Sequence, residues 1–131
     1  MNNKYSLITG GTAGIGLDIA KELAKRGHNI LLTARREERL KEISASIKEE
    51  FNVDCNYIAA DLADASAPEM IYNFCSKNNY IVEILVNNAG YSINKKFHET
   101  SEDEEEKFLR VLGIAVVALT KKFIPSMLEQ N

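Results

Sequence analysis

The sequence predicts an α/β protein built on a doubly wound parallel sheet, with helices on both faces of the sheet. Three observations support this fold class. Short apolar runs alternate with longer amphipathic stretches along the whole chain. A glycine-rich turn joins the first apolar run to the first amphipathic stretch, and polar side chains follow later runs. Such alternation favours parallel strands joined by right-handed crossovers.

The first half of the chain contains two strand–helix units. Residues 5–8 and 29–34 are nearly continuous apolar runs, as expected of strands that are covered on both faces. Residues 15–26 carry apolar side chains at helical spacing, and Ile15 begins that apolar face. Residues 37–51 repeat the helical spacing. We therefore expect the order strand, helix, strand, helix.

The second half continues the alternation. Residues 55–59 and 84–87 are the third and fourth apolar runs, and a helix over 68–77 separates them. The last helix begins at Ser101, where the sequence S-E-D-E fits a capping box. We expect this helix to extend as far as Pro125, which bends or ends it.

The composition fits one soluble domain spanning residues 1–131. The chain is 45% hydrophobic and 27% charged, and its formal net charge of −3 argues against a nucleic-acid-binding surface. Cys55 and Cys75 lack metal-site spacing, so we expect reduced thiols and no metal. We find neither a signal peptide nor an apolar run of about 20 residues. These features predict a cytoplasmic protein with no membrane partner.

The turn T-G-G-T-A-G-I-G, directly after the first strand, is the strongest functional signal. Unpaired N–H groups at a helix N-terminus attract anions, and the helix dipole adds to that attraction. Gly10 permits the tight turn, Gly14 lets the backbone approach a phosphate, and Gly16 allows close packing of the helix. The candidate pyrophosphate-binding residues are Gly10, Thr12, Ala13, Gly14, Ile15 and Gly16. A purely structural turn is the alternative.

Two arginines follow the second strand and bear on the choice of cofactor. Arg35 and Arg36 occupy the place where many dinucleotide sites carry a carboxylate for the ribose 2′-OH. Guanidinium groups there favour a 2′-phosphate, and so NADP(H) over NAD(H). The alternative is that they form the solvated basic start of the second helix.

Polar or small residues also follow the third and fourth strands. Asp61, which precedes Leu62, can accept a hydrogen bond from an adenine amino group or cap a helix. Asn87 and Asn88 can bridge strand ends, and the small pair Ala89-Gly90 lets the chain pass close to a ligand. All these positions lie at carboxyl ends of strands, where open α/β sheets bind ligands.

In this order and spacing, TGGTAGIG, Asp61-Leu62 and NNAG resemble the short-chain dehydrogenase/reductase family, whose members have a Rossmann-like fold. The resemblance covers essentially the whole chain, and for its four strands it implies the order 3-2-1-4. It implies an oxidoreductase that transfers a hydride between a nicotinamide cofactor and a small-molecule carbonyl or alcohol. The segment A-R-R, with Leu40 behind it, resembles the NADP-preferring members.

The chain also departs from the family pattern. Members are about twice as long, and their catalytic Ser and Tyr-x-x-x-Lys follow a fifth strand that this chain does not reach. We therefore expect no catalytic residue in the chain and no activity from it alone. Tyr91 and Lys95 match the Tyr-x-x-x-Lys spacing, but in a loop, and we interpret the match as coincidence. Leu112 stands where many members carry an Asn that supports a proton-relay water.

Three functions stay open at this stage. The chain is the cofactor-binding half of an oxidoreductase, a nucleotide-binding module without catalysis, or one half of a two-chain assembly. The fourth strand and the last helix are expected to present an open edge and an apolar face. Such surfaces promote association, so we expect a homo-oligomer. The sequence does not identify the substrate.

Overall fold

A parallel four-stranded sheet lies at the centre of the computed structural model, which describes residues 2–130. The strands are β1 (Lys4–Thr9), β2 (Asn29–Ala34), β3 (Cys55–Ala59) and β4 (Ile81–Val86). The helices are α1 (Gly14–Lys25), α2 (Glu37–Phe51), α3 (Ala67–Lys77), α4 (Glu102–Leu109) and α5 (Ala115–Gln130). The order β3-β2-β1-β4 confirms the predicted strand order.

Helices cover both faces of the sheet, as the apolar strands predicted. Side chains alternate between the faces of a strand, so neighbouring residues of β1 belong to different cores. Leu7 packs with α3 and α5 residues such as Ile71 and Leu119. Ile8 packs on the other face with α1 and α2 residues such as Ala20. Leu31 and Leu32 of β2 divide in the same way, so β1 and β2 are the two inner strands of the sheet.

The fourth strand begins earlier than the apolar run indicated. We predicted residues 84–87, and β4 spans Ile81–Val86. Glu83 interrupts the apolar pattern, and its carboxylate lies 3.1 Å from His28 Nδ1 at the margin of the sheet. Within residues 2–130, β4 pairs with β1 alone, which leaves the other edge of β4 open as expected.

The last helix begins as predicted but ends later. Glu104 N donates to the hydroxyl of Ser101 at 3.1 Å, which confirms the N-terminal cap. The expectation that Pro125 limits the helix is wrong, because α5 continues to Gln130 with Pro125 inside it. Pro125 is exposed, and a missing N–H costs less at a solvated position than in a core. A π-helical turn over Arg110–Ile114 joins α4 to α5.

One side of this long helix is buried and the other is not. Val111, Ala115, Leu119 and Phe123 form the buried side. Val117 is 62% exposed and Leu128 is 70% exposed on the other. Over Glu102–Gln130 the helix is long and apolar enough to cross a bilayer, with a mean hydropathy of 1.7 in its best window. The sequence pattern did not indicate a helix of this length and hydropathy, because charged residues interrupt the apolar runs. The property rests on length and composition alone.

A polar cluster closes the amino-terminal edge of the sheet. The buried Tyr5 hydroxyl donates to Asp54, whose carboxylate also accepts from Asn56 and lies 3.4 Å from Lys48 Nζ. Burial raises the pKa of Asp54, but the bonds from Tyr5 and Lys48 outweigh burial and lower it below its usual 3.8. Burial and the Asp54 carboxylate raise the pKa of Tyr5. The ionised form of Asp54 therefore stabilises the fold.

We predict that Tyr5→Phe lowers the free energy of unfolding at pH 7 by about 1–2 kcal/mol, the value of a partly exposed hydrogen bond to a charged group. The pKa of Asp54 is depressed by folding. Its contribution is therefore present above pH 3.8 and is lost as pH falls through the lower folded pKa.

Urea unfolding at pH 7 and at pH 2.5 measures this loss. Tyr57→Phe, in a half-buried tyrosine outside the cluster, is the control. An equal effect of Tyr5→Phe at both pH values would contradict the assignment.

Candidate functional site

A cavity of about 730 Å³ lies at the carboxyl edge of the sheet, where four loops converge. It brings together residues from all four sequence signals: Gly10, Thr12, Ala13, Arg35, Arg36, Asp61, Leu62, Ala89 and Gly90. The remaining predicted site residues do not line it: Gly14, Ile15, Gly16, Asn87 and Asn88. The edge of the sheet thus assembles most, but not all, of the predicted site.

The glycine turn presents an open helix N-terminus at the cavity. Gly10 has φ +65° and Gly14 has φ +55°, a region that residues with a side chain rarely adopt. Ala13 precedes α1 in an extended conformation, and within residues 2–130 no side chain caps the helix there. The first N–H groups of α1 are therefore free to bind an anion.

Ile15 does not pack where the helical spacing predicted. Its side chain is 73% exposed, whereas Gly16, Ala20 and Ala24 form the buried face of α1. The helix begins only at Gly14, so Ile15 lies in its first turn, beyond the end of the sheet. It remains beside the candidate anion site but outside the core.

Gly16 is required by contact with the turn rather than with the strand. A Cβ atom at Gly16 would lie 2.4 Å from the Gly10 carbonyl oxygen and 2.3 Å from Asn88 Nδ2. A Cβ atom at Gly14 would meet nothing within 4 Å. The two glycines therefore have separate roles, one in packing and one in leaving space above the helix start.

Thr9 and Asn88 join the ends of β1 and β4 beneath the turn. Asn88 Nδ2 donates to the carbonyl oxygens of Thr9 and Gly10, both at 3.1 Å. Thr9 Oγ1 accepts from the backbone N–H groups of Asn88 at 3.0 Å and Ala89 at 2.9 Å. The sequence analysis missed Thr9, although a hydroxyl that ends a buried apolar strand is a signal worth following.

The other asparagine points elsewhere. Asn87 Nδ2 donates to Thr120 Oγ1 at 3.3 Å, and that hydroxyl donates to the Val116 carbonyl oxygen at 2.7 Å. Asn87 therefore links the end of β4 to α5. Asn87 is not among the residues that line the cavity, so its predicted role in cofactor binding stays a prediction.

Positive charge dominates the rim of the cavity. Its lining includes Arg35, Arg36, Arg39 and Lys107, against the single carboxylate of Asp61. Arg39 is one helical turn beyond Arg36, a spacing that the sequence analysis did not use. A hydrogen bond to Asp103 raises the pKa of Lys107, so this cation stays charged at neutral pH. The rim suits a ligand that carries phosphate groups.

Asp61 combines an exposed position with a local structural bond. Its Oδ1 accepts from the backbone N–H of Ala63 at 3.0 Å. This bond closes a local turn and does not cap a helix, because α3 begins at Ala67 with Ser66 at its N-cap. The capping alternative is therefore wrong, and Asp61 lines the cavity.

The loop after Gly90 is held against α4. The Tyr91 ring packs edge-on against Phe108 with centroids 5.5 Å apart, and Lys95 Nζ lies 3.1 Å from Glu104 Oε2. Tyr91 and Lys95 lie in a segment without helix, so they do not share a helical face. Leu112, in the π-helical turn, lies over Gly90, where a Cβ atom would be 2.8 Å from Leu112 Cδ2.

Comparison with known proteins gives one consistent family. The family model for short chain dehydrogenases matches residues 4–131. The very-long-chain 3-oxoacyl-CoA reductase of Rattus norvegicus is 34% identical over 98% of this chain and 42% of its own length. The fatty acyl-CoA reductase of Acinetobacter baylyi is 32% identical over the whole chain and 45% of its own length.

Solved structures agree with the sequence relatives. L-Sorbose reductase from Gluconobacter frateurii, complexed with NADPH and L-sorbose, matches with a TM-score of 0.91 and 33% identity. The match covers 99% of this chain and 49% of that one. A short-chain dehydrogenase from Sphingobium yanoikuyae in complex with NADPH has a TM-score of 0.89 and 27% identity. The chain spans about half the length of the proteins it matches.

We predict that Asn88→Ala lowers the free energy of unfolding by about 1–3 kcal/mol, because two buried carbonyl groups lose their donor. Urea unfolding of the variant and of the unmodified chain measures this loss.

Asn78→Ala is the matched control, because its amide donates to the Phe74 carbonyl oxygen at 2.8 Å on an exposed helix end. Equal losses in the two variants would contradict the role given to Asn88.

Proposed function

Because this chain belongs to the short-chain dehydrogenase family, we propose that it is the cofactor-binding half of an oxidoreductase that uses NADP(H). The reaction is hydride transfer between the nicotinamide ring and a small-molecule carbonyl or alcohol. One observation carries the proposal: Ala13, the N-cap residue of an uncapped helix, and a cationic rim line the same cavity. That arrangement suits a ligand with phosphate groups at two separate points.

The residues present fit a dinucleotide. The turn from Gly10 to Gly16 would hold the pyrophosphate, because its backbone is open at Gly14 and its N–H groups are free. Asp61 and Leu62 would border the adenine, and Ala89-Gly90 would let the ribose approach the chain. When bound, the nicotinamide supplies or accepts the hydride. The role of this chain is to bind and orient the cofactor.

Preference for NADP(H) over NAD(H) is the finer part of the proposal. Arg35 and Arg36 line the cavity just after β2, and Arg39 adds a third guanidinium group. Three guanidinium groups on one side of a cavity favour a 2′-phosphate, which NAD(H) lacks. The complexes of the two related structures with NADPH support this choice.

A carbonyl substrate is the coarse expectation that the relatives support. Relatives of this chain are named as reductases of 3-oxoacyl-CoA, of fatty acyl-CoA and of L-sorbose. We propose the same reaction class for the protein to which this chain contributes. Its proton-transfer residues are proposed to lie outside these 131 residues, so the chain alone binds cofactor without turnover.

A two-chain assembly is the second candidate, and a specific surface favours it. The edge of β4 that is unpaired within residues 2–130, and the exposed side chains of Val117 and Leu128, are surfaces that a second structural unit can cover. A nucleotide-binding module without catalysis is the third. Mixing the chain with the half of a relative that it does not match distinguishes these two candidates, because restored oxidation of NADPH would support the two-chain assembly.

Association and location are further proposals. We propose that the exposed side of the last helix, or the β4 edge, mediates homo-oligomer formation, because exposed apolar surface favours association.

We also propose a cytoplasmic location with no membrane or nucleic-acid partner. Burial raises the pKa of Cys55 to about 11 and of Cys75 to about 12, so both thiols are inert.

We predict that Arg35→Ala and Arg36→Ala each weaken NADPH binding about 10-fold, the lower end for a charge-assisted hydrogen bond at an exposed position. Binding of NADH changes by less than about twofold, because the lost partner is the 2′-phosphate. Parallel fluorescence titrations of both nucleotides measure the difference.

Arg26→Ala is the control, since Arg26 is an exposed arginine that pairs with Glu22 at 2.9 Å outside the cavity. Equal weakening of NADPH and NADH would refute the 2′-phosphate assignment. No binding of either nucleotide by the unmodified chain would refute the proposed function.

A further inference from the structure

The hydroxyl of Thr33 is buried and unpaired at the cavity. Thr33 is 2% exposed, and its Oγ1 has no hydrogen-bond partner among residues 2–130. Most buried hydroxyl groups in proteins are paired, so an unpaired one needs a physical explanation. Thr33 also lines the cavity, and rotation about χ1 from one staggered rotamer to another can turn its hydroxyl towards a molecule bound there.

The hydroxyl at the next strand shows what a paired group looks like here. Thr9 is the register partner of Thr33 on β1, so the two side chains share one face of the sheet. Thr9 Oγ1 accepts from two backbone N–H groups and lies 3.4 Å from the Val86 carbonyl oxygen. Thr33 has the same residue type, occupies the paired register position and is equally buried, and yet its hydroxyl lacks such partners within residues 2–130.

Thr33 lies between the two candidate phosphate sites. Its carbonyl oxygen accepts from Gly10 N at 2.9 Å, which places Thr33 beside the glycine turn. Arg35 is two residues further along the chain and marks the other site. A ligand with one phosphate group at each site must pass Thr33 with the part that connects them. In NADP(H) that part is the ribose of the adenosine, because the pyrophosphate and the 2′-phosphate are both attached to it.

The surroundings of Thr33 leave it with little polar competition. The neighbouring cavity-lining residues Ala34, Ala60, Leu62 and Ala89 are apolar, and Ala60 and Leu62 are largely buried. The charged side chains lie at the rim of the cavity, whereas these apolar residues offer a bound molecule no side-chain hydrogen bond. A single hydroxyl among apolar cavity-lining residues determines how a bound ligand is oriented more than how tightly it binds.

We propose that Thr33 Oγ1 hydrogen-bonds to the adenosine half of the bound dinucleotide and sets its orientation. This inference rests on the proposed function and deepens it, because it assigns a specific side chain to the adenosine. The ligand then removes the cost of the unpaired hydroxyl, which exists in the free chain alone. Thr33 is thus a binding residue that the glycine and arginine signals do not include.

Ser6 provides a matched control within the same sheet. Its Oγ is the other buried side-chain atom without a partner among residues 2–130, and the residue is 0% exposed. Ser6 is not among the residues that line the cavity. It therefore shares the unpaired hydroxyl but not the access to a ligand.

The test uses the 131-residue chain with the variants Thr33→Val, Thr33→Ser and Ser6→Ala. NADPH and adenosine 2′,5′-bisphosphate are titrated into each by calorimetry. We expect Thr33→Val to weaken both ligands roughly 3- to 10-fold, the effect of one neutral hydrogen bond. Thr33→Ser keeps the hydroxyl and Ser6→Ala leaves the cavity intact, so both are expected to bind within about twofold of the unmodified chain.

The ligand-free thermal midpoint is the second measurement. Replacing an unpaired buried hydroxyl by a methyl group is neutral or stabilising, so Thr33→Val is expected to melt no lower than the unmodified chain. A midpoint lowered by several degrees would mean that the hydroxyl serves the fold, and would overturn the proposal.

Two binding results would also overturn it. Unchanged affinity of Thr33→Val for both ligands would exclude the hydrogen bond, while leaving the proposed function intact. Weakened NADPH with unchanged adenosine bisphosphate would place the contact on the nicotinamide half instead. If the unmodified chain bound neither ligand, the proposed function would fail, and this inference with it.

Discussion

The junction between Thr9 and Asn88 is the constraint on which the site depends. Through it, four hydrogen bonds tie the end of β1 to the start of the β4 loop, directly below the glycine turn. Gly16 packs into this junction so closely that a Cβ atom would overlap Asn88 and Gly10. The turn therefore takes its shape from an adjacent strand end as well as from its own glycines.

The two edges of the sheet are finished in opposite ways. At the amino-terminal edge, Tyr5, Asp54 and Lys48 satisfy one another and close the surface. At the carboxyl edge, an uncapped helix and cationic side chains border a cavity, and the buried Thr33 hydroxyl beside it has no partner among residues 2–130. Parallel strands bring all their carboxyl ends to one side, so unsatisfied groups collect there. A ligand bound at the open carboxyl edge therefore satisfies more unpaired groups than one bound at the amino-terminal edge.

The long last helix has a similar division of roles. Leu119 and Phe123 anchor it to the sheet, whereas Val117 and Leu128 on its other side are uncovered. Its π-helical turn contains Leu112, which lies over Gly90 beside the cavity. The helix thus connects the core, the loop that borders the cavity and a surface available for association. The short-chain dehydrogenases that the chain matches are about twice its length.

The family resemblance predicted the strand order, and the sequence by itself determined the strand–helix alternation and most of the cavity-lining residues. These follow from local patterns: apolar periodicity, glycines in a turn, and polar residues after strands. The charged side chain of Glu83 interrupts the apolar pattern, so β4 was predicted to begin too late. Pro125 suggested that α5 ends there, but the helix continues through this exposed position. Side-chain partners were decided by tertiary structure alone. Asn88 turned towards Thr9 while Asn87 turned towards Thr120, although the two are chemically identical. Thr9 became paired and Thr33 did not, because only β1 has β4 beside it. Hydrogen bonds between residues distant in sequence depend on which strands are neighbours, and no local pattern contains that information.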